Sequence, residues 1–291
     1  MSEQPSVISS TTPLAARMRP NSIQEVVGQT HILKPGSPLI ALATPVEQGA
    51  KVSAASVILW GPPGTGKTST IKAIAKDTNR HIINLSLRKT TTQQQLINLF
   101  FNETIEVLMN GETKTYSIPL EQRLYVIEDI DCLTDVVLSR ELVDKEKEEE
   151  RLKLQLLNEQ QNQNQNQNQN QSISQQFDML RKKELNNSRS SSGDSHKINL
   201  SFLLNLFDGV LETPNRLLIM TSNYPDKIDS ALLRPGRIDL NIKFRNCSIE
   251  TMLKMFKTFF NDNEKRVINE EYSELITPAR LTQILSTNYN N

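Results

Sequence analysis

Short apolar runs alternate along the chain with longer polar segments in which apolar residues recur at helical spacing. The runs "ASVILW" (55–60), "HIINLSL" (81–87) and "RLLIMTSN" (216–223) have the length and composition of strands. A fourth run, "LYVI" (124–127), leads directly into acidic residues. The segments that follow, such as "TSTIKAIAKDTN", favour helices. This alternation predicts an α/β fold in which parallel strands are connected by helices.

The end of the chain has a different pattern. In "SIETMLKMFKTFF" and "TPARLTQILSTN" the apolar residues keep helical spacing, and no strand-like run separates the two segments. Pro278 suits the first turn of the second helix, because its missing N–H is not needed there. We predict a short helical lid over residues 247–291.

A low-complexity stretch interrupts the alternation. It contains the charged run "DKEKEEERLKLQ", a Gln/Asn repeat and "NNSRSSSGDSH". The charged run favours an exposed, coiled-coil-like helix up to about Asn158. The rest is too poor in apolar residues to offset its ordering entropy. We predict a disordered insertion over about 144–196, either merely solvated or a partner-binding arm, and a disordered start over residues 1–12.

The composition excludes several classes of protein. Lys+Arg 33 against Asp+Glu 33 leaves no net charge, so nothing global indicates nucleic acid as a partner, although local basic patches are compatible with it. The three histidines form no zinc-ligand pattern. The N-terminus does not resemble a secretory signal, and no segment has the roughly 20 apolar residues of a membrane span. We expect a soluble intracellular protein, cytoplasmic or nuclear.

A phosphate-binding loop follows the first predicted strand. "WGPPGTGKTST" matches G-x-x-x-x-G-K-[ST] in a strand–loop–helix context. Its glycines let backbone N–H groups face phosphate oxygens, a lysine places a point charge on them, and a threonine hydroxyl can ligate Mg²⁺. The predicted nucleotide-binding residues are Gly61, Pro62, Pro63, Gly64, Thr65, Gly66, Lys67 and Thr68.

The strand "LYVIEDID" supplies the acid that such a loop requires. A carboxylate at a strand tip beside a phosphate site serves the metal and the attacking water. By position, Glu128 faces Mg²⁺ and Asp129 activates water, the reverse of the usual Asp-then-Glu order. Asp131 is expected to be a structural or interface charge.

These motifs, with "IMTSN" and "DSALLRPGRIDL", resemble the AAA+ ATPases over about residues 13–291 without the insertion. The resemblance implies a nucleotide-binding parallel-sheet core over 13–246 and Mg²⁺-dependent ATP hydrolysis. It implies a homo-oligomeric ring, hexameric in this family, that remodels or assembles a protein complex. Asn223 would be the sensor of the attacking water or γ-phosphate. Arg234 and Arg237 would be arginine fingers offered to a neighbouring subunit.

The same resemblance suggests further roles and two branches of the family. Val27 and Gly28 would line the adenine pocket, and Ala279 stands where many relatives have a nucleotide-sensing arginine. Arg280 either substitutes for that arginine or is solvated. Residues 13–39 resemble clamp-loader-related replication and recombination ATPases of the Werner-interacting type. The later motifs resemble the mitochondrial AAA chaperone of respiratory complex III assembly, which has the same Glu-Asp order and hydrolyses ATP.

Three functions therefore stay open at this point. The first is a chaperone-like ATPase that remodels proteins. The second is a DNA-associated ATPase of the clamp-loader-like type, for which DNA-stimulated turnover with steep salt dependence would be diagnostic. The third is a scaffold that binds nucleotide without hydrolysing it.

Overall fold

The computed structural model describes residues 19–44, 54–85, 87, 91–133, 198–208, 215–260 and 267–289, with four isolated positions between 145 and 153. The predicted disordered start over 1–12 lies outside the described residues. So does the predicted insertion over 144–196, apart from those four positions, which are helical.

A five-stranded parallel sheet forms the centre of the fold, in the order β2-β5-β6-β1-β7. Its strands are β1 (Ala55–Trp60), β2 (His81–Asn84), β5 (Arg123–Ile127), β6 (Leu217–Ser222) and β7 (Leu240–Lys243). Ile58 of β1 lies opposite Met220 of β6, and Met220 lies opposite Ile127 of β5. The predicted α/β core with a parallel sheet is confirmed.

The three central strands are buried on both faces, which explains their uninterrupted apolar sequence. Successive residues of β5 point to opposite faces: Leu124 and Val126 pack in one core cluster, Tyr125 and Ile127 in the other. The edge strand β2 is shorter than the predicted run over 81–87. Its ladder ends at Asn84 and its side chains are mostly exposed.

Helices cover both faces of the sheet. They are α1 (Pro38–Ala43), α2 (Lys67–Asp77), α3 (Gln93–Phe101), α4 (Ile130–Leu133) and α5 (Leu200–Phe207). Ile71 and Ile74 of α2 belong to one core cluster, and Phe100 of α3 and Leu203 of α5 belong to the other. Short 3₁₀ helices lie at Ile23–Glu25, Leu120–Gln122, Pro225–Lys227 and Glu270–Tyr272.

Two helices at the end of the chain pack on each other with their own small core. They are α6 (Ile249–Phe260) and α7 (Pro278–Tyr289), and α7 begins at the proline that the sequence suggested. Their buried cluster contains Cys247, Met252, Met255, Leu281 and Leu285. Among the described residues, no helix is both long and apolar enough to cross a bilayer.

An exposed hairpin, which the sequence analysis did not predict, precedes β5. Strands β3 (Thr104–Met109) and β4 (Glu112–Ser117) pair in antiparallel register around Asn110-Gly111. Both turn residues have positive φ, 52° and 85°. This is the backbone of a two-residue turn in which Asn-Gly is strongly preferred.

Three arginines lie along the edge of the sheet where the strands begin. Arg80 precedes β2, Arg123 opens β5 and Arg216 precedes β6. Arg123 is fully buried, and its guanidinium donates to the carbonyl oxygens of Leu99, Glu103 and Ile118.

The other two arginines also bond to main-chain oxygens. Arg216 donates to Leu206 and Phe207, the last residues of α5, at 3.4 and 2.9 Å. Arg80 donates from Nη1 to the carbonyl oxygens of Arg123 and Asn215, at 3.0 and 2.8 Å. Last-turn carbonyls of a helix lack intrahelical donors and carry partial negative charge, so Arg216, and Arg123 at the end of α3, stabilise these helix ends.

Candidate nucleotide-hydrolysis site

The phosphate loop connects β1 to α2, at the carboxyl edge of the sheet. Its first glycine, Gly61, has φ 142°, and a Cβ atom there would lie 2.2 Å from the Phe244 carbonyl oxygen. The Gly61 N–H donates to the Ser222 carbonyl at 3.2 Å, so the loop is held to the end of β6. Only glycine fits this close approach of two backbones.

Lys67 is the buried cation of the loop. Its Nζ donates to the carbonyl oxygens of Gly61 and Pro62, at 2.6 and 3.0 Å, and to Asn223 Oδ1 at 2.9 Å. Burial lowers the pKa of Lys67, and the charges of Asp129 and Asp131 act in the opposite direction. The ammonium is therefore desolvated and held at the position where phosphate oxygens would replace its present partners.

Asn223 links this cation to the acidic strand tip. Its Oδ1 accepts from Lys67, and its Nδ2 donates to Asp129 Oδ1 at 3.2 Å. The amide orientation follows from this network, because an ammonium can only donate and a carboxylate can only accept. Lys67, Asn223 and Asp129 thus form one hydrogen-bonded chain across two strand tips.

Two residues that the sequence did not single out in this role fix the strand tips. Asp131, which is buried, accepts from the Asn223 N–H at 3.1 Å. Thr221 Oγ1 accepts from the Asp129 N–H at 2.9 Å. The expected structural role of Asp131 agrees with this contact, and the signal for Thr221 was its position two residues before Asn223.

Glu128 and Asp129 point to different partners. The Thr68 hydroxyl donates to Glu128 Oε1 at 2.7 Å, whereas Asp129 contacts Asn223. Hydroxyl and carboxylate oxygens side by side at a phosphate loop are a donor set that fits Mg²⁺. Among the described residues, no three His, Cys, Asp or Glu side chains gather as a metal site. Mg²⁺ would therefore depend on phosphate oxygens and water for its other ligands.

The backbone explains why the shorter acid stands second. Asp129 has φ 48°, in the left-handed region. Asp enters this region more readily than most residues, because its short side chain can hydrogen-bond locally. An acid with a longer side chain would reach further from this position but would be less suited to its backbone.

A cavity of about 690 Å³ opens beside the loop. Polar groups of Lys67, Thr68, Asp129 and Asn223 line one part of it, and the opening segment and the lid line the rest. The lining residues that the sequence analysis did not single out are Arg19, Pro20, Glu25, Val26, Ser69, Met255, Thr258, Pro278, Thr282, Gln283 and Ser286. They could not be assigned from sequence, because their convergence depends on how the lid packs.

The two residues predicted for the adenine pocket differ in their positions relative to the cavity. Val27 lines the cavity and packs against the lid cluster. Gly28 is not among the residues that line it. A Cβ atom at Gly28 would lie 2.7 Å from Thr251 Cγ2 of α6, so this glycine allows the opening segment to approach the lid. The predicted role of Gly28 in the adenine pocket stays a prediction.

The lid contacts the phosphate loop directly. The Ala279 N–H donates to the Gly64 carbonyl at 3.1 Å, and a Cβ atom at Gly64 would lie 3.0 Å from Ala279 Cβ. Arg280 is exposed and donates to Gln283 Oε1 at 2.8 Å. It lies outside the cavity lining, which favours the solvated alternative for this arginine.

The two predicted arginine fingers differ in their surroundings. The Arg234 side chain is exposed and has no hydrogen-bond or ion-pair partner in the part of the chain that the structure describes. Arg237 donates from Nη1 to the Ala231 carbonyl at 2.7 Å, and its Nε lies 3.4 Å from Asp208 Oδ2. Neither side chain lines the cavity of its own chain.

Comparison with known proteins agrees with this site. An AAA family ATPase of Acanthamoeba polyphaga mimivirus, L572, is 29% identical over 222 residues, covering 76% of this chain and 94% of the relative. An AAA-ATPase of Arabidopsis thaliana is 35% identical over 240 residues, 80% of this chain and 40% of the relative. The "Probable mitochondrial chaperone BCS1-B" of Dictyostelium discoideum is 28% identical over 237 residues, 80% of this chain and 44% of the relative.

The chain thus spans less than half of the plant and Dictyostelium relatives. These relatives agree with the resemblance of the later motifs to the mitochondrial chaperone. They do not support the resemblance of residues 13–39 to clamp-loader-related ATPases.

A family profile matches more than half of the chain. The profile "ATPase family associated with various cellular activities (AAA)" covers residues 57–246, from β1 to just after β7. The chain belongs to the AAA family of ATPases and is an ATP hydrolase.

Proposed function

We propose that the chain couples Mg²⁺-dependent ATP hydrolysis to the remodelling or assembly of a protein complex, at sites shared between subunits of a ring. The observation that carries the catalytic part is the hydrogen-bonded chain Lys67–Asn223–Asp129 beside the Thr68–Glu128 contact. This arrangement puts a cation, a polar sensor and a base at one cavity, and Thr68, which also lines the cavity, connects it to Glu128.

In this proposal the cavity holds ATP with its phosphates at the loop and its base between Val27 and the lid. The loop N–H groups and the start of α2 bind phosphate oxygens, as helix N-termini do. Thr68 and Glu128 would hold Mg²⁺. Bound Mg²⁺ would neutralise charge on the phosphate oxygens.

Asp129 would accept the proton of the attacking water, and Asn223 would orient that water. A carboxylate in this role contributes typically 10²–10⁴-fold. The contact between Asn223 and Lys67 joins the cation that binds the phosphates to the residue that orients the water. We infer that occupancy of the phosphate site and alignment of the base are coupled through this amide.

Arg234 would complete the site of the neighbouring subunit. Its guanidinium is exposed and outside its own cavity, and an arginine that stabilises developing phosphoryl charge typically contributes 10³–10⁵-fold. Arg237, tied to Ala231 and Asp208, would hold the loop that presents Arg234 and would reach the phosphate only by leaving these contacts. AAA proteins commonly form rings, and a hexamer is the expected size.

The remodelling role is supported by similarity to a protein named as a mitochondrial chaperone. This chain covers 44% of that relative, so the target and its adaptor belong to the proposal.

Mixed rings test the shared site. Arg234→Ala subunits keep an intact loop, and Lys67→Ala subunits keep an intact arginine, so each lacks what the other supplies. Each variant alone should be nearly inactive. Equal mixing should restore turnover at about a quarter of the sites, because a head-to-tail ring interface takes its halves from two subunits.

A mixture of Lys67→Ala with Asp129→Asn is the matched control, since both changes lie in the same subunit's half of the site. It should restore nothing. If the Arg234→Ala mixture also restores nothing, although mixed rings form by native mass spectrometry, the shared-site proposal is wrong.

A further inference from the structure

The opening segment, residues 19–29, forms one wall of the ATP cavity although it does not belong to the sheet. The residues of this segment that line the cavity are Arg19, Pro20, Glu25, Val26 and Val27. Within the segment, all of which the structure describes, the only regular element is the 3₁₀ helix Ile23–Glu25. The position of this wall therefore depends on the contacts that hold the segment at its two ends.

The first of these contacts is made with the end of the phosphate-loop helix α2. Asp77 Oδ2 accepts from the Ser22 hydroxyl at 3.1 Å and from the Ile23 N–H at 2.7 Å. Ile23 is buried in the same core cluster as Ile71 and Ile74 of α2. These contacts fix the segment before it reaches the two valines, whose position also depends on the residues that follow them.

The second contact is made by the side chain of Gln29, which is buried. Its Nε2 donates to the Arg245 carbonyl oxygen at 2.7 Å, and its Oε1 accepts from the Arg245 N–H at 2.9 Å. A backbone N–H can only donate and a carbonyl oxygen can only accept, so both ends of this amide are assigned and satisfied. One side chain thus bonds both backbone groups of a single residue far away in the sequence.

Arg245 lies just beyond β7, the strand at one end of the sheet order. The preceding residue, Phe244, faces the sheet, because its N–H donates to the carbonyl of the last residue of β1 at 2.7 Å. Backbone groups of successive strand residues point to alternate sides, so those of Arg245 point away from the sheet. His31 Nε2 lies 2.8 Å from the Lys243 carbonyl oxygen on the same outer side. The Gln29 amide therefore occupies the place of a further strand.

The stretch that Gln29 contacts connects the phosphate loop to the lid. The Phe244 carbonyl oxygen lies where a Cβ atom at Gly61 would clash with it. Cys247, two residues after Arg245, belongs to the buried core of the lid, and its N–H donates to the Ile276 carbonyl at 2.8 Å. An amide bonded between these two contacts fixes the opening segment relative to both the loop and the lid.

The backbone at Gln29 also indicates that its position is imposed by these contacts. Its φ is 52°, in the left-handed region, directly after Gly28 with φ 89°. Glutamine is disfavoured in this region, because its Cβ crowds the backbone and its side chain lacks the local hydrogen bonds open to Asn or Asp. Such a conformation persists where the surrounding structure determines it, and here the two bonds to Arg245 do so.

We propose that Gln29 is a positioning residue that sets the wall formed by Val26 and Val27 at the nucleoside end of the ATP cavity. This rests on the proposed function, in which the base of ATP lies between Val27 and the lid. Gln29 is not among the lining residues, so it acts through the segment. Without the amide the wall is in place for only a fraction of the time, and the apparent affinity for nucleotide falls by that fraction. The phosphates, which the loop and α2 bind, are affected little.

The test compares Gln29→Gly with the wild type in steady-state ATP hydrolysis and in calorimetric titrations with ADP and with tripolyphosphate. Glycine removes the amide and accepts the left-handed backbone without strain. The KM for ATP should rise about tenfold while kcat changes by less than about twofold, the result expected when ground-state and transition-state binding are lost equally. Affinity for ADP should fall about tenfold, whereas tripolyphosphate, which has no nucleoside, should lose less than about twofold.

Two further variants control for the substitution itself. Gln24→Gly removes an exposed glutamine side chain from the same segment and should match the wild type in every measurement. Gln29→Glu keeps the size of the side chain, but its carboxylate cannot donate to the Arg245 carbonyl, so it should show the same selective loss. Equal losses for ADP and tripolyphosphate, a lower kcat with KM unchanged, or wild-type values in both Gln29 variants would overturn the proposal.

Lys67→Met distinguishes a failure of this proposal from a failure of the proposed function. It should weaken ADP and tripolyphosphate alike, because it removes the cation that faces the phosphates. If it does so while the Gln29 variants match the wild type, only the role of Gln29 is wrong. If Lys67→Met binds ADP as tightly as the wild type, the cavity is not the ATP site, and the proposed function is wrong as well.

Discussion

The positively charged side chains at the two edges of the central sheet have different hydrogen-bond partners. At the carboxyl edge, Lys67 is bonded partly to side-chain oxygen, through Asn223, and faces a cavity. At the amino edge, Arg80, Arg123 and Arg216 are bonded to main-chain carbonyls. The Asn223 side chain at the first edge can move or be replaced by phosphate, whereas the main-chain partners at the second edge are fixed by the fold. The difference separates a cation that binds ligand from cations that hold the structure together.

The edges also differ in what the cations join. Arg123 connects the end of α3, the base of the hairpin and the start of β5, through Leu99, Glu103, Ile118 and its own strand. Lys67 and Asn223 connect the phosphate loop to the tips of β5 and β6. Removing Arg123 from the amino edge should therefore mainly lower stability, whereas removing Lys67 from the carboxyl edge should mainly weaken nucleotide binding.

The largest expected effect is on stability, at the amino edge. Arg123→Met should lower the free energy of unfolding by about 3 kcal/mol, because several buried carbonyl groups lose their donor at about 1–3 kcal/mol each and only part of this is recovered by relaxation. Chemical denaturation measures the change. Arg280→Met, which removes an exposed arginine, is the control and should change stability by less than about 0.5 kcal/mol. Equal effects would contradict a structural role for Arg123.

At the carboxyl edge, Lys67→Met should lower the stability of the nucleotide-free protein by less than Arg123→Met does, because the lost hydrogen bonds are partly offset by the removal of a desolvated charge. The pKa of Lys67 is lowered by burial, so folding disfavours its charged form below the unfolded pKa, and this penalty disappears as pH rises through that value. At neutral pH the methionine removes the penalty.

Nucleotide binding should be affected far more strongly by this substitution than stability is. Lys67→Met should weaken ATP affinity by about 10²-fold or more, since a charge-assisted hydrogen bond to phosphate contributes about 1.5–3 kcal/mol. Calorimetric titration with ATP measures it. If Lys67→Met lost as much stability as Arg123→Met and kept its ATP affinity, Lys67 would be a structural cation like Arg123, which would contradict this difference between the two edges.

The smallest effect is expected beyond the amino edge, on the hairpin. Leu108 is 73% exposed, so Leu108→Lys should change stability by less than about 0.5 kcal/mol and leave ATP turnover unaltered. Thermal melting and a steady-state assay check both. A marked loss of turnover would mean that the hairpin communicates with the site across the sheet.

Much of the carboxyl edge could be predicted from sequence. The loop motif and the acid-tipped strand carry their geometry in consecutive residues, and the buried strands β1, β5 and β6 show as continuous apolar runs. The placement of Gly28 could not be predicted, because it depends on where Thr251 of the lid comes to lie.

Most contacts at the amino edge could not be predicted from sequence patterns either, because they also depend on how separate elements pack together. Arg123 and Arg216 each stand directly before an apolar run, and their partners include helix ends 24 and 9 residues earlier in the sequence. The hairpin did have a local signal, Asn110-Gly111 between alternating residues, which the sequence analysis passed over.

We assign Glu128 to Mg²⁺ and Asp129 to the attacking water. The Mg²⁺ dependence of steady-state ATP hydrolysis tests these two roles most directly. Glu128→Gln should raise the Mg²⁺ concentration needed for half-maximal turnover, because its carboxylate is paired with Thr68. Asp129→Asn should lower turnover by about 10²–10⁴-fold with ATP still bound and the Mg²⁺ midpoint unchanged. Glu121→Gln, an exposed acid away from the cavity, should alter neither. The reverse assignment, a shifted midpoint in Asp129→Asn and a turnover defect at saturating Mg²⁺ in Glu128→Gln, would contradict the account.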